Sequence, residues 1–197
     1  MYLVFDTETT GLPPRKKSVH SDYLLWPRIV QIAWGIYDGE CITATSHIIK
    51  PDGYVIPNEV IAIHGITNEI AHSEGTPIKS ALDEFYAALQ DVDTLVAHNI
   101  EFDIDCILAE SYRIAQKIPT YRTKINSLKD KPHICTKLSS TNYCKIPNQF
   151  KSGYKWPRLD ELYRKLFDCS FDNAHTADAD VEATNKCYVE LVKRGVI

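Results

Sequence analysis

The sequence predicts an α/β fold in which helices flank a mixed sheet. Three observations carry this reading: short apolar runs that break off into polar residues, one pair of runs arranged as a hairpin, and stretches whose apolar residues recur at helical spacing. The run "YLVF" (2–5) is a buried strand. "RIVQIAWGIYD" (28–38) alternates well enough for a second strand, and "CITATSHII" (41–49) reads as a third, joined to it across a "GE" turn. Thr76 and Pro77 read as the N-cap and first-turn pair of a helix with Ile78, Leu82, Phe85 and Leu89 at helical spacing. "TLVA" (94–97) is a short buried strand, followed by a helix over about 101–114. Residues 115–158 read as irregular, with prolines at 119, 132, 147 and 157 that leave room for short helices. "LDELYRKLF" (159–167) is an amphipathic helix, and a last helix runs from about 176 to 194 and stops at Gly195.

At 197 residues the chain, 1–197, fits one domain and can bury a core without disulfide staples. Six cysteines (41, 106, 135, 144, 169, 187) are scattered, without a CxxC pair or zinc spacing, so reduced thiols and a cytoplasmic location are expected. No run approaches the 18 apolar residues of a membrane span, and the start lacks a charged-then-apolar secretory pattern, so no membrane partner is expected. Net charge is −4, which alone argues against a nucleic-acid partner. The distribution reverses that impression. Residues 113–165 hold thirteen Lys/Arg against three Asp/Glu, while the remainder holds nine against twenty-three. Such asymmetry fits either a face meant for a polyanion or a solvated lysine-rich loop region.

Four acids stand where a core pattern does not expect them. In "LVFDTETTG" (3–11) the apolar strand runs into Asp6 and Glu8, which project to one face because strand residues two apart point the same way. Two such carboxylates repel, and one keeps a proton unless a cation sits between them. In "LVAHNIEFDID" (95–105) a second buried strand gives way to a helix with Asp103 in its first turn, a place that favours an acid for dipole reasons alone or for a site. In "NAHTADADVEAT" (173–184) Asp180 falls on the stripe of Ala183, Thr184, Cys187 and Leu191, the apolar side of its helix, where a lone carboxylate is costly unless paired or metal-bound. Ala177, Ala179 and Ala183 let this helix approach the sheet, and His175 lies at its start. Oxygen ligands of this kind suit Mg²⁺ or Mn²⁺, and four carboxylates can hold two ions about 3.5–4 Å apart, an arrangement suited to phosphodiester hydrolysis. A nearby histidine can serve as general base.

The segments "DTETTG" (6–11), "HNIEFD" (98–103) and "HTADAD" (175–180), in this order, resemble the three motifs of the DEDDh exonucleases. This is the DnaQ-like group that includes the proofreading subunit of bacterial replicative polymerases. "VIPNEVIAIHGIT" (55–67) resembles the family's segment between the first two motifs. The resemblance implies an RNase H-like fold with a mixed five-stranded sheet and 3′-to-5′ hydrolysis that releases nucleoside monophosphates. It implies Asp6, Glu8, Asp103 and Asp180 as metal-binding acids and His175 as general base. Backbone around Thr7 and Thr9 is expected to meet the terminal nucleotide. Leu12 and Phe102 are candidates to wedge end bases or else to pack in the core. Asn99 and His64 are further candidates for substrate contact, with a turn-fixing hydrogen bond as the other reading of His64. The expected partner is single-stranded 3′ ends of nucleic acid, DNA ahead of RNA, with a DNA polymerase as a candidate partner although no polymerase-binding tail is legible after Gly195. An exoribonuclease, or a non-catalytic nucleic-acid-binding or polymerase-associated module, are the alternatives. The stretch "PPRKKSVHSDYLLWP" (13–27) is a longer insertion than compact members carry, and Arg15, Lys16 and Lys17 place it at the expected substrate entrance.

Overall fold

A computed structural model describes residues 1–38, 40–149, 152–171 and 175–197. Gly39 of the predicted turn, and Asn173 and Ala174 of the third motif stretch, lie outside the described residues. In chain order the elements are β1 (Tyr2–Thr9), α1 (Val19–Asp22), β2 (Ile29–Tyr37), β3 (Cys41–Ile48), α2 (Asn58–His64), α3 (Asn68–Glu74), α4 (Ile78–Ala88), β4 (Thr94–Ala97), α5 (Ile100–Ala115), α6 (Tyr121–Lys129), β5 (His133–Cys135), α7 (Thr136–Ser139), α8 (Thr141–Cys144), α9 (Leu159–Phe167) and α10 (Ala177–Lys193). The sheet has five strands in the order β3-β2-β1-β4-β5. β1 pairs antiparallel with β2 and parallel with β4, so the sheet is mixed.

Alternation along β1 divides the core. Leu3 and Phe5 face one layer with Leu82, Phe85 and Ile107, from α4 and α5. Val4 faces the other with Ala33, Val96, Ala177 and Val181, so α10 closes that side. The small side chain of Ala177 is fully buried there, as close helix-to-sheet packing requires. Cys144, Leu162, Leu166, Cys187 and Leu191 seat α9 and α8 against α10. The parallel β1–β4 pair directs both C-terminal ends the same way, which brings the residues after Phe5 beside those after Ala97.

Two predicted features are corrected. Thr76 is not an N-cap. Its amide donates to the Ile48 carbonyl at 2.8 Å and its carbonyl accepts from Lys50 at 2.9 Å, which extends the edge of the sheet instead. Pro77 caps α4 without a side-chain bond. The turn is tight because Gly75 packs where a Cβ would collide with the Ala71 carbonyl and the Lys50 amide. The stretch 115–158 is also more regular than expected. It contains α6 and β5, and β5 pairs with β4 through Leu95, Val96 and Ala97. The five cysteines with described side chains are free. Among the described residues no helix is long and apolar enough to cross a membrane.

Candidate active site

Beyond Phe5, β1 keeps its strand geometry while its side chains turn polar. Asp6 lies opposite Ala33 and Glu8 opposite Gln31 on β2, both on the face that α10 covers. Thr7 and Thr9 alternate with them and are buried. From the opposite layer α5 presents Asp103, which is buried. Its Oδ1 accepts from the Thr7 amide at 3.1 Å and from the Thr7 hydroxyl at 2.7 Å. Thr7 therefore ties α5 to the strand that carries Asp6 and Glu8. The Thr7 amide lies in the backbone stretch expected to meet a terminal nucleotide, and here it bonds Asp103.

The third wall is the first turn of α10. Gln31 anchors it, its Oε1 accepting from the Ala177 amide at 3.1 Å and its amide group donating to Asp178 at 3.3 Å. Asp180 follows one turn later, and the His175 amide hydrogen-bonds its carboxylate. His175 itself sits at φ 75°, in a left-handed turn just before the helix, with its side chain exposed. Sequence reasoning missed Gln31. The available signal was a lone amide side chain inside the apolar run "IVQIA".

Asp6, Glu8 and Asp180 each bring a carboxylate oxygen to within 4.8 Å of the others. Asp103 stands beside this trio rather than in it, held by Thr7. The electrostatics follow from crowding. Burial, then the charges of Asp103, Asp180 and Glu8, push Asp6 well above the usual carboxylate range. Burial and the charges of Asp180 and Asp103 raise Glu8 to about 8. Burial raises Asp103 to about 7 against the pull of the Thr7 hydrogen bonds, and raises Asp180 to about 6 against His175. Lys137 acts on Asp103 and His175 on Asp180, too little positive charge for four carboxylates. Hard oxygen donors, close spacing and unbalanced negative charge fit a divalent cation of the Mg²⁺ or Mn²⁺ type.

The remaining candidates are dispersed. Leu12 is 89% exposed just past β1, so core packing does not account for it. Phe102 is half-buried and packs against the α5 core. The Thr9 hydroxyl donates to the Gly11 carbonyl at 2.8 Å and shapes the chain leaving β1. Asn99 takes a left-handed φ of 81° at the head of α5 and accepts from the Lys137 ammonium at 2.5 Å. His64 is buried, and its Nδ1 accepts from the Ile66 amide at 3.1 Å, which is the turn-fixing bond. In the insertion, Arg15 and Lys16 are exposed, Lys17 pairs with Asp22 at 3.3 Å, and α1 packs on α5.

Known proteins resemble this chain in sequence and in fold. The chain is 28% identical over 194 residues to the 3′-5′ exonuclease DinG of Bacillus subtilis, covering 98% of this chain and 18% of that protein. It is 30% identical to a PolC-type DNA polymerase III of Streptococcus thermophilus, covering 98% of this chain and 11% of that one. The chain thus spans under a fifth of the length of these relatives. Among solved structures, the zinc-bound form of the E. coli exonuclease I complex with single-stranded DNA superposes with a TM-score of 0.69 at 21% identity, over 98% of this chain and 40% of that one. Exonuclease X in complex with 5′-overhanging duplex DNA superposes with a TM-score of 0.58 at 21% identity, over 99% and 93%. These likenesses bear out the RNase H-like mixed sheet. A family model described as Exonuclease, of the RNase T type, matches residues 3–188, and the chain belongs to that exonuclease family.

Proposed function

We propose that the chain is a metal-dependent 3′-to-5′ exonuclease that shortens DNA from single-stranded 3′ ends and releases nucleoside monophosphates, with residues 1–197 acting as one domain. The single observation that carries this reading is the trio Asp6, Glu8 and Asp180 within 4.8 Å, with Asp103 fixed beside it. The exonuclease family, a 3′-5′ exonuclease among the relatives and DNA in the similar solved structures support it. The PolC-type relative supports a proofreading context with a DNA polymerase partner. Free thiols fit a cytoplasmic location.

Asp6, Glu8, Asp103 and Asp180 would hold two Mg²⁺ or Mn²⁺ ions. Once bound, the ions supply charge neutralisation and polarise the phosphodiester. The rest falls to the chain. Thr7 keeps Asp103 from turning away, and Gln31 fixes the register of Asp180 against β1. His175 takes a proton from the attacking water. The water oxygen bonds to phosphorus as the bond to the 3′ oxygen breaks, and the departing oxygen takes a proton from solvent, leaving a 3′ hydroxyl on the shortened strand and a free monophosphate. The exposed position of His175 next to Asp180 suits a group that exchanges its proton with solvent at each turnover. Leu12, standing clear of the core beside the acids in sequence, wedges against the end base.

The test is incubation of the chain with Mg²⁺ or Mn²⁺ and 5′-labelled single strands. The proposal expects a ladder that shortens from the 3′ end of DNA, with mononucleotide product. Shortening of RNA alone would make the chain an exoribonuclease. Retention of the strand without cleavage would make it a binding module.

A further inference from the structure

We propose that Trp156 and Lys137 form a stacking subsite for a nucleotide of single-stranded substrate, beside the acid cluster but separate from it. The inference rests on the nucleic-acid reading above. Trp156 is 62% exposed, whereas Trp26 is 8% and Trp34 is 4% exposed. An indole left in water forgoes a large burial gain, and this one is held in place. It is not on a loose loop. On one side, the Lys155 amide donates to the Ile146 carbonyl at 2.9 Å, and the Lys155 ammonium pairs with Glu161 at 2.5 Å. On the other, the Pro157 carbonyl lies 3.1 Å from Nε2 of His98, whose Nδ1 lies 2.9 Å from the Thr136 hydroxyl. The backbone is therefore pinned immediately before and after the tryptophan.

The ring also has a defined neighbour. The Lys137 ammonium lies 4.8 Å from its centroid and bonds Asn99 at the head of α5, the helix that carries Asp103. Among the described residues Lys137 makes no close ion pair with a carboxylate, and its charge, which also reaches Asp103, faces the ring. A cation under one face and solvent over the rest of the ring leave room for a base to stack. Lys137 would meet the adjoining phosphate. The pair belongs to the stretch 113–165, where thirteen basic residues stand against three acidic ones. A held aromatic with a cation beside it binds any base and carries no sequence preference.

Tryptophan fluorescence reads the subsite directly, because the other two indoles are buried. The titration uses oligothymidylate and the Asp6→Asn chain, so that no strand is consumed. The proposal expects quenching on binding, loss of that quench with Trp156→Phe, and an affinity loss of about ten-fold with Trp156→Ala against a much smaller one with Trp156→Phe. Replacing one base at a time by an abasic site should, at a single position near the 3′ end, cost the parent affinity and leave Trp156→Ala unchanged. Lys137→Ala should lower the slope of log affinity against log salt by about 0.7. An unchanged affinity with Trp156→Ala, or no quench on binding, overturns the subsite even if the wild-type chain cleaves DNA. Absence of cleavage by the wild-type chain overturns the exonuclease reading, while a Trp156-dependent quench would still support the subsite.

Discussion

Replacing Glu8 by Gln should stabilise the metal-free protein at alkaline pH while removing its activity. Glu8 titrates at 4.5 when unfolded and at about 8 when buried among Asp180 and Asp103. Between those values the folded chain holds a proton that the unfolded chain has released, so this stabilisation is complete below pH 4.5 and is lost as pH rises through 8. The gap is worth at most ~5 kcal/mol. Glu8 is only partly buried, and screening by nearby solvent reduces that to about 2 kcal/mol. For a chain of 197 residues this corresponds to a Tm difference of about 4–8 °C. Thermal unfolding in EDTA, followed by circular dichroism at pH 5 and pH 9, reads it. The wild-type chain should lose more stability than Glu8→Gln across that interval. Mg²⁺ should flatten the wild-type curve, because a cation replaces the proton. A gap between the two proteins that is equal at pH 5 and pH 9 would refute the reasoning.

Further outcomes follow from the same geometry. Asp6→Ala and Asp180→Ala should each abolish nucleotide release while leaving a cooperative unfolding transition, checked by calorimetry. His175→Ala should lower kcat by roughly 10²–10⁴-fold with little change in KM, since the group moves a proton and does not hold the strand. Thr7→Val removes the 2.7 Å donor to Asp103 without changing volume. It should cost about 1–3 kcal/mol in denaturant unfolding and weaken Mn²⁺ binding.

Most of the site was legible where residues break a pattern. Asp6 and Glu8 stand out because carboxylates follow an apolar run, and Asp180 because it shares a stripe with Cys187 and Leu191, which are buried. Asp103 was ambiguous by itself, since a first-turn acid is ordinary on any helix. Only its place in "HNIEFD" marked it. What stayed hidden depends on contacts between distant elements. The bond from Thr7 to Asp103 joins residues 96 positions apart, and the bond from Ala177 to Gln31 joins residues 146 apart. No local spacing announces either one. β5 was missed because "HIC" is too short to show alternation, and it is a strand only because β4 offers an open edge. Thr76 misled for the opposite reason. Its local sequence suits a cap, but the edge of β3 claims its backbone.

The most direct test is a crystal structure of the chain soaked with Mn²⁺ and a nucleoside monophosphate, with anomalous difference maps. The account predicts Mn²⁺ peaks bounded by Asp6, Glu8, Asp103 and Asp180, with the phosphate against them and His175 at its edge. Peaks confined to other parts of the molecule, or none among these carboxylates at saturating Mn²⁺, would contradict it.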